Sequence, residues 1–218
     1  MSIASEIQDL NTNLTAAKNA VTAKGGTVGD TGLAGLASEI ATIPSGGSIA
    51  SYGTVKYTEG SVDKTVTMPN EEDFIELSFG VNNSDITINN TTVNKDWIKE
   101  VTVGDGVQYL PDNFLYGCTY LTTVNLPSTI HYIGDSVFQN CNSLNSPITL
   151  TNVVYIGANF LSACTNFNQP ISMPKIERIE NSFMSSCNAF NSSLVINDDC
   201  RVIGSSFLSN CIAFAQSI

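Results

Sequence analysis

The fold of the C-terminal half is decided by residues 101–144, which read VTVGDGVQYLPDNFLYGCTYLTTVNLPSTIHYIGDSVFQNCNSL. The hexapeptide NFLYGC in this stretch returns in related form as SVFQNC at 136–141, NFLSAC at 159–164, SFMSSC at 182–187 and SFLSNC at 206–211. Its cysteine therefore recurs every 23 or 24 residues, at Cys118, Cys141, Cys164, Cys187 and Cys211. A fixed period in this range is typical of a solenoid, in which each repeat forms one coil and stacks on the next.

Apolar residues stand at five constant positions relative to each repeat cysteine: eleven, eight, four and three residues before it, and three residues after it. One of these columns comprises Leu110, Ile133, Ile156, Ile179 and Ile203. Because equivalent side chains of successive coils stack on one another, the columns predict one continuous core. Cys200, at the first of the five positions, is expected to be a small buried hydrophobe.

Each repeat is expected to contain a short strand, a turn and a short helix. Apolar and polar residues alternate, as in half-buried strands, at 101–103, 124–126, 148–150, 171–173 and 194–196. A glycine after the isoleucine column predicts a turn with positive φ, and it recurs at Gly134, Gly157 and Gly204. The NFL or SFL stretch that follows predicts a short helix. Its expected caps are Asn113, Asn159, Ser182 and Ser206.

In these columns the chain resembles the BspA-like leucine-rich repeat of bacterial proteins. The resemblance rests on residues 101–144 and continues in register to Phe214, over about half of the chain. From the third repeat onward the chain departs from the pattern, because one extra residue precedes the strand. The resemblance implies an α+β repeat fold: a leucine-rich-repeat solenoid with a parallel strand face and short helices.

The six cysteines favour free thiols over disulfides or a metal site. Adjacent coils would place neighbouring repeat cysteines about 5 Å apart, which is within reach of a disulfide. Yet the five repeat cysteines occupy equivalent positions and are odd in number, and neither a CxxC pair nor a His–Cys cluster offers a zinc ligand set. Free thiols fit folding in a reducing cytoplasm. No metal ion or other cofactor is therefore expected.

Charge and hydropathy argue against several classes of protein. The net charge of −11 argues against nucleic acid and against anionic membrane surfaces as partners. The N-terminal residues MSIASEIQDLNTNL lack the basic region and the apolar run of a secretory signal. No stretch approaches the ~20 apolar residues of a membrane span. We expect a protein that is made in the bacterial cytoplasm and does not insert into a membrane.

Residues 1–47 carry a heptad pattern in their first half. The apolar positions, spaced alternately four and three residues apart, are Ile3, Ile7, Leu10, Leu14, Ala17 and Val21. They predict an amphipathic helix, which either self-associates as a coiled coil, with a homotrimer as the expected assembly, or docks on the protein's own body. A second short helix is expected from Leu33 to Ile43, before a linker that starts at Pro44.

Residues 1–47 also look like the leader of tail-fibre and minor tail proteins of phages that infect Gram-positive bacteria. The resemblance rests on SEIQDLNTNL, AKNAVTAKGGTV and LAGLASEIATIPSGG: an amphipathic helix, a break at two glycines, and a Leu/Ile helix that ends at a proline. It implies a location in the virion tail, with this segment attached to other tail proteins.

Residues 48–97 contain further alternating runs, at 54–58, 64–68, 74–79 and 85–89. They predict a small β domain that caps the first coil of the repeat domain, residues 98–218. The chain ends at Ile218 inside a sixth repeat. Its open end is expected either to meet a partner or to reflect a shortened chain.

No catalytic constellation is apparent, and we expect no enzyme. His131 is the one histidine, and no serine elbow, phosphate-binding loop or dinucleotide fingerprint is found. Only 13% of the residues are charged, and Asn, Ser and Thr dominate the polar positions, which suits hydrogen bonding. One set of asparagines is expected to satisfy backbone groups: Asn142, Asn145, Asn166, Asn168, Asn188 and Asn191.

The leading hypothesis is a receptor-binding protein of a phage tail fibre, which displays the repeat surface for attachment to a host cell. Multivalent display would strengthen weak single contacts. If the strand face binds the host protein or glycan, its outward residues form the candidate ligand column: Thr102, Asn125, Thr149 and Ser172. The alternatives are a structural tail or baseplate component whose repeats bind another virion protein, and a bacterial BspA-like surface adhesin.

Overall fold

The computed structural model describes residues 49–78 and 85–216. These residues form thirteen strands, one α-helix and one 3-10 helix, and their buried apolar side chains form one continuous cluster. The heptad positions Ile3, Ile7, Leu10, Leu14, Ala17 and Val21 lie outside the described residues, as does the second expected helix.

A four-stranded sheet joins the segment before the repeats to the first two coils. β1 (Gly53–Glu59) and β2 (Val62–Met68) form an antiparallel hairpin, and β1 also pairs antiparallel with β5 (Ile98–Val103). The expected alternation at 54–58 and 64–68 therefore does produce strands. On the other side, β5 pairs in parallel with β7 (Thr123–Asn125). The hairpin thus extends a sheet of the solenoid itself.

One expected strand in the first segment, over 74–79, is not formed: residues 74–75 end a helix, residues 76–77 form a turn, and Ser78 makes an isolated bridge with Phe114. Residues Glu71–Ile75 form α1, whereas the alternation predicts a strand over 74–79. Asn70 caps the helix, because its side chain accepts a hydrogen bond from the Asp73 N–H at 2.9 Å. Phe74 of α1 is buried, and its ring centroid lies 5.0 Å from that of Phe114 in the first coil. The prediction is wrong because so short an apolar run does not distinguish helix from strand.

A second hairpin leads from this segment to the repeats. β3 (Asp85–Ile88) and β4 (Thr91–Asn94) are antiparallel, and the expected strand at 85–89 is present over its first four residues. Asn89 and Asn90 join the strands with φ of 46° and 58°, as in a type I′ turn, whose left-handed positions asparagine tolerates. A 3-10 helix at Lys95–Trp97 then leads into β5.

The isoleucine column forms a second sheet, which the sequence pattern does not predict. Its five parallel strands are β6 (Tyr109–Leu110), β8 (Tyr132–Ile133), β9 (Tyr155–Ile156), β11 (Arg178–Ile179) and β13 (Val202–Ile203). Each strand is two residues long, so that none can show an alternating period.

The expected strand face is interrupted at the third coil. β10 (Ile171–Met173) and β12 (Leu194–Ile196) form a separate parallel pair, and residues 148–150 form no strand. Pro147 precedes this segment and has no N–H to donate, and the Val124 N–H donates instead to the Ser146 hydroxyl, at 3.0 Å. Four of the five expected strands are therefore present, and the third is not.

The hexapeptides form turns and not the expected helices. The backbone is left-handed at alternate residues, with φ of 60° at Asn113 and 57° at Leu115. The N–H of Asn113 donates to the Asp135 carbonyl and that of Leu115 to the Leu77 carbonyl, both at 2.7 Å. In a helix these N–H groups would bond to carbonyls of the same hexapeptide, whereas here they bond to the next coil and to the segment before the repeats. The four expected caps have φ of 58° to 62° and cap no helix: Asn113, Asn159, Ser182 and Ser206.

The repeat glycines are required for a reason other than the predicted one. Gly134, Gly157 and Gly204 are not among the residues with positive φ. A Cβ on Gly157 would lie 2.5 Å from Asp135 Oδ1 and 2.6 Å from the Gly134 carbonyl. The coils approach one another so closely here that no side chain fits.

The predicted core columns are present. Aromatic rings from two neighbouring columns follow one another with centroids 4.9–6.2 Å apart, through Phe114, Phe138, Phe160, Phe183 and Phe207. Phe138 stands three residues before its cysteine, and the other four stand four residues before theirs. All six cysteines are free thiols, and the four of the inner coils are buried. Cys200, however, is half-buried rather than buried, because no described coil packs against the outer side of its own.

Candidate binding surface

Two of the four candidate ligand residues form a hydrogen-bonded pair. Thr102 on β5 is half-buried, Asn125 on β7 is exposed, and the two lie opposite each other in the parallel register. The Asn125 side-chain amide donates to Thr102 Oγ1 at 3.1 Å and to Glu100 Oε1 at 3.3 Å. Glu100 in turn pairs with Lys56 of β1 at 2.8 Å. Polar side chains are therefore linked across three neighbouring strands.

The other two candidates lie further along the solenoid. Thr149 is exposed, in the segment that forms no strand, and its neighbours Ile148 and Leu150 are buried. Ser172 is exposed on β10 and lies opposite Val195 of β12, which is 53% exposed. All four candidates thus have at least partly accessible side chains, as expected of outward positions. At the third coil the candidate residue, Thr149, is not part of a sheet, and after Ser172 the next equivalent position is the apolar Val195.

The polar surface has a hollow at its N-terminal end that the sequence pattern does not predict. A cavity of about 380 Å³ is lined by Lys56, Tyr57, Asp63, Lys64, Thr65, Lys99, Glu100 and Thr122. Apart from Tyr57, which is buried in the core, the lining residues are charged or carry a hydroxyl group. The cavity spans β1, β2 and β5 beside the Thr102–Asn125 pair, so that cavity and column lie on the same sheet.

Ion pairs neutralise the charged groups around this cavity. Lys99 lies 3.4 Å from Asp63, and Lys64 pairs with Glu59. A hydrogen bond from Thr58 and the charge of Lys99 hold the pKa of Asp63 below its usual range. These groups are solvent-exposed, so that each pair contributes little to stability. The arrangement provides fixed donors and acceptors for a polar ligand.

The outward direction of Lys56 at the cavity could have been predicted from the alternation in the sequence, and Lys56 does occupy an outward position of β1. Lys64 lies opposite the buried Tyr57, on the face of β2 that carries Val66, and is nevertheless exposed. Pairing β1 with β5 brings these residues beside Lys99, and that pairing spans more than forty residues. The local pattern predicts on which face of a strand a side chain lies, but it does not predict that β1 pairs with β5.

Neither a metal site nor a membrane span is found in the described part of the chain. No group of three or more His, Cys, Asp or Glu side chains there could hold a metal ion. No helix in those residues is long and apolar enough to cross a membrane. His131 directly precedes β8 and is half-buried, and its Nδ1 lies 2.7 Å from the Thr129 carbonyl.

The repeats of this chain match a known family of proteins. No curated protein matches the sequence. A leucine-rich repeat protein from Bacteroides ovatus is similar in structure, with a TM-score of 0.47 and 13% sequence identity, over 75% of this chain and 44% of that one. The chain thus spans less than half the length of that protein. Residues 86–215 match the family described as BspA type Leucine rich repeat region, in six copies. This match covers more than half of the sequence, and the chain belongs to the BspA-type leucine-rich-repeat family.

Proposed function

We propose that this protein is a receptor-binding component of a phage tail, which attaches to a host-cell protein or glycan through the polar face formed by β2, β1, β5, β7 and the outward residues of the later coils. Membership of a repeat family supports a role in binding or at a surface. The single observation that carries the binding site is the polar network from Asn125 through Glu100 to Lys56, beside the cavity of about 380 Å³.

The surface chemistry favours binding over catalysis. The carboxylates and lysines at the cavity are exposed and paired with each other, whereas catalytic acids and bases are usually held in a desolvated cleft. Stacked coils hold the polar side chains on a rigid scaffold, which reduces the entropy that is lost when a ligand binds. We therefore propose a binding protein without enzymatic activity.

The setting in a virion rests on the resemblance of residues 1–47 to phage tail leaders. In this proposal the N-terminal segment trimerises and joins the chain to other tail proteins, and three copies of the repeat surface face the host. Avidity would then compensate for weak single sites.

Binding of the purified, fluorescently labelled full chain to a panel of Gram-positive bacteria, measured by flow cytometry, tests this function. We expect saturable labelling of at least one strain, with excess unlabelled chain abolishing the signal. A chain that labels no strain but copurifies with tail proteins from a phage lysate would favour the structural alternative. A chain that immunolabelling locates on the producing bacterium's own surface would favour the adhesin.

A further inference from the structure

A row of tyrosines lies on the second sheet, outside the proposed binding face. Tyr109, Tyr132 and Tyr155 occupy the same register on the parallel strands β6, β8 and β9. All three are half-buried, whereas the next residue of each strand is fully buried, so that the tyrosines lie on the outward side. Since parallel strands are about 4.8 Å apart, the row is about 10 Å long. We call it the tyrosine strip.

Two carboxylates accompany the strip, and their charges are not needed to hold the coils together. Asp112 Oδ1 accepts the Asp135 N–H at 2.8 Å, and Asp135 Oδ1 accepts the Ala158 N–H at 2.7 Å. In a later coil, Asn181 Oδ1 accepts the Ser205 N–H at 2.8 Å, so that an uncharged amide makes the same contact. Like charges in equivalent turns of adjacent coils repel each other, and two asparagines would have avoided this cost.

The electrostatic environment of the strip is negative. Burial, and secondly the charge of Asp112, raise the pKa of Tyr109 to about 12. Burial and then the charge of Glu180 raise the pKa of Tyr155. Arg178, the next residue in register, forms an ion pair with Glu180. The carboxylates of Asp112 and Asp135 are exposed.

We propose that the tyrosine strip, together with Asp112 and Asp135, is a docking surface for an extended cationic polypeptide segment. Lysine or arginine side chains of such a segment would lie on the tyrosine faces and pair with the second oxygen of each carboxylate. Charge complementarity selects this partner, because aromatic faces and unneutralised carboxylates both attract cations. The surface lies on a different sheet from Thr102 and Asn125 and takes a partner of different chemistry.

The test uses the intact chain and fluorescein-labelled hexalysine, with binding measured by fluorescence anisotropy at low and at physiological ionic strength. We expect saturable binding that weakens with salt. The double substitution D112N/D135N should weaken binding about fivefold to tenfold while the melting temperature stays that of the parent, since Asn181 shows that asparagine supports the coil contact. Tyr132→Val should weaken binding about threefold, and Val202 shows that the column accepts valine.

The matched control is D198N/D199N, which removes the same charge from an exposed turn outside the strip. It should leave hexalysine binding within about twofold of the parent. Equal weakening by both double substitutions would show a general charge effect and overturn the proposal. So would the absence of saturable binding, or an unchanged affinity in Tyr132→Val. Neutral maltohexaose should not compete, and competition by this sugar would identify the strip as a glycan site and equally overturn the proposal.

Discussion

At the residue scale, the hydrogen bonds of the thiols explain why cysteine occupies its position in the repeat. Four thiols, of which the last is half-buried, each donate to a carbonyl of the preceding coil at 3.0 Å: Cys141, Cys164, Cys187 and Cys211. Cys141 Sγ, for example, donates to the Leu115 carbonyl. The Leu115 carbonyl also accepts the N–H of Cys118. Cysteine therefore fills the core as a small apolar side chain and provides a weak donor to a buried backbone group.

The thiols should make the protein less stable at alkaline pH. Burial raises the pKa of Cys141 from 9.0 to about 12, and raises that of Cys118 and Cys164 well above 9.0. Unfolded thiols ionise near pH 9, so that stability present in full below pH 9 is lost between pH 9 and 12. We expect the free energy of unfolding in urea to fall above pH 9. Cys141→Ala should make this fall shallower, by up to about 1.4 kcal/mol per pH unit. A slope identical to that of the parent would contradict the assignment.

Cys211 should be the most reactive of the repeat thiols. It is half-buried, whereas Cys118, Cys141, Cys164 and Cys187 are buried, so that its thiol is the most accessible of the five to a reagent. Alkylation by iodoacetamide, followed by peptide mass spectrometry, should modify Cys211 before the four buried repeat cysteines. Earlier modification of Cys141 would show that the coils open in the native state.

Gly157 should not tolerate a side chain. Alanine there would place its Cβ within 2.6 Å of the Gly134 carbonyl, and backbone atoms must then move. We expect Gly157→Ala to lower the free energy of unfolding by about 1–3 kcal/mol. The control is Gly60→Asn, at a turn with φ of 63° and open space, where asparagine should cost less than about 1 kcal/mol. Equal costs at both sites would contradict the packing argument.

At the scale of the element, side-chain hydrogen bonds join each coil to its neighbours, in addition to the pairing of strands. The expectation that asparagines satisfy backbone groups is confirmed for three of the six. Asn145 accepts the Asn168 N–H, Asn168 accepts the Asn191 N–H, and Asn191 accepts the Ala215 N–H, at 2.8–3.0 Å. This ladder runs beside the strand face, where the proline-flanked third coil forms no strand pairs.

Asn168→Ala should destabilise the stack through this ladder. It leaves the Asn191 N–H and the Ser192 hydroxyl without the side-chain acceptor at 2.8 and 3.0 Å. We expect a loss of about 1–2 kcal/mol in the free energy of unfolding, measured with urea. Asn168→Asp retains both acceptors and should cost less than half as much. If the aspartate variant lost as much as the alanine variant, the hydrogen bonds would not be the cause.

The sequence predicts the period, the core columns and four strands of one face, because stacked apolar side chains recur at fixed offsets. It does not predict the second sheet, since strands of two residues such as Tyr132–Ile133 have no period. The left-handed turns are missed for another reason. Phe138 and Leu161 adopt φ of 58° and 55°, which bonds to neighbouring coils stabilise and local preference disfavours. The cavity depends on pairing between distant strands and is missed for that reason.

The whole molecule is proposed to consist of a repeat solenoid and an N-terminal segment that oligomerises. The oligomerising segment is a prediction from the sequence. Light scattering should show a trimer for the full chain and a monomer for a chain that starts at Ser48, because the heptad residues are removed. A monomer in both cases would contradict the coiled coil, and a trimer in both would place the assembly contacts in the repeats.

The proposal that the polar strand face binds the host is tested most directly by a pair of substitutions two residues apart. Thr149 and Thr151 are both exposed threonines, the first in the candidate column and the second in the turn that follows it. Binding of the labelled full chain to a strain that the parent labels should weaken at least about tenfold in Thr149→Arg and remain unchanged in Thr151→Arg. Unchanged binding in Thr149→Arg, with both variants folded, would contradict the claim that this face carries the host contact.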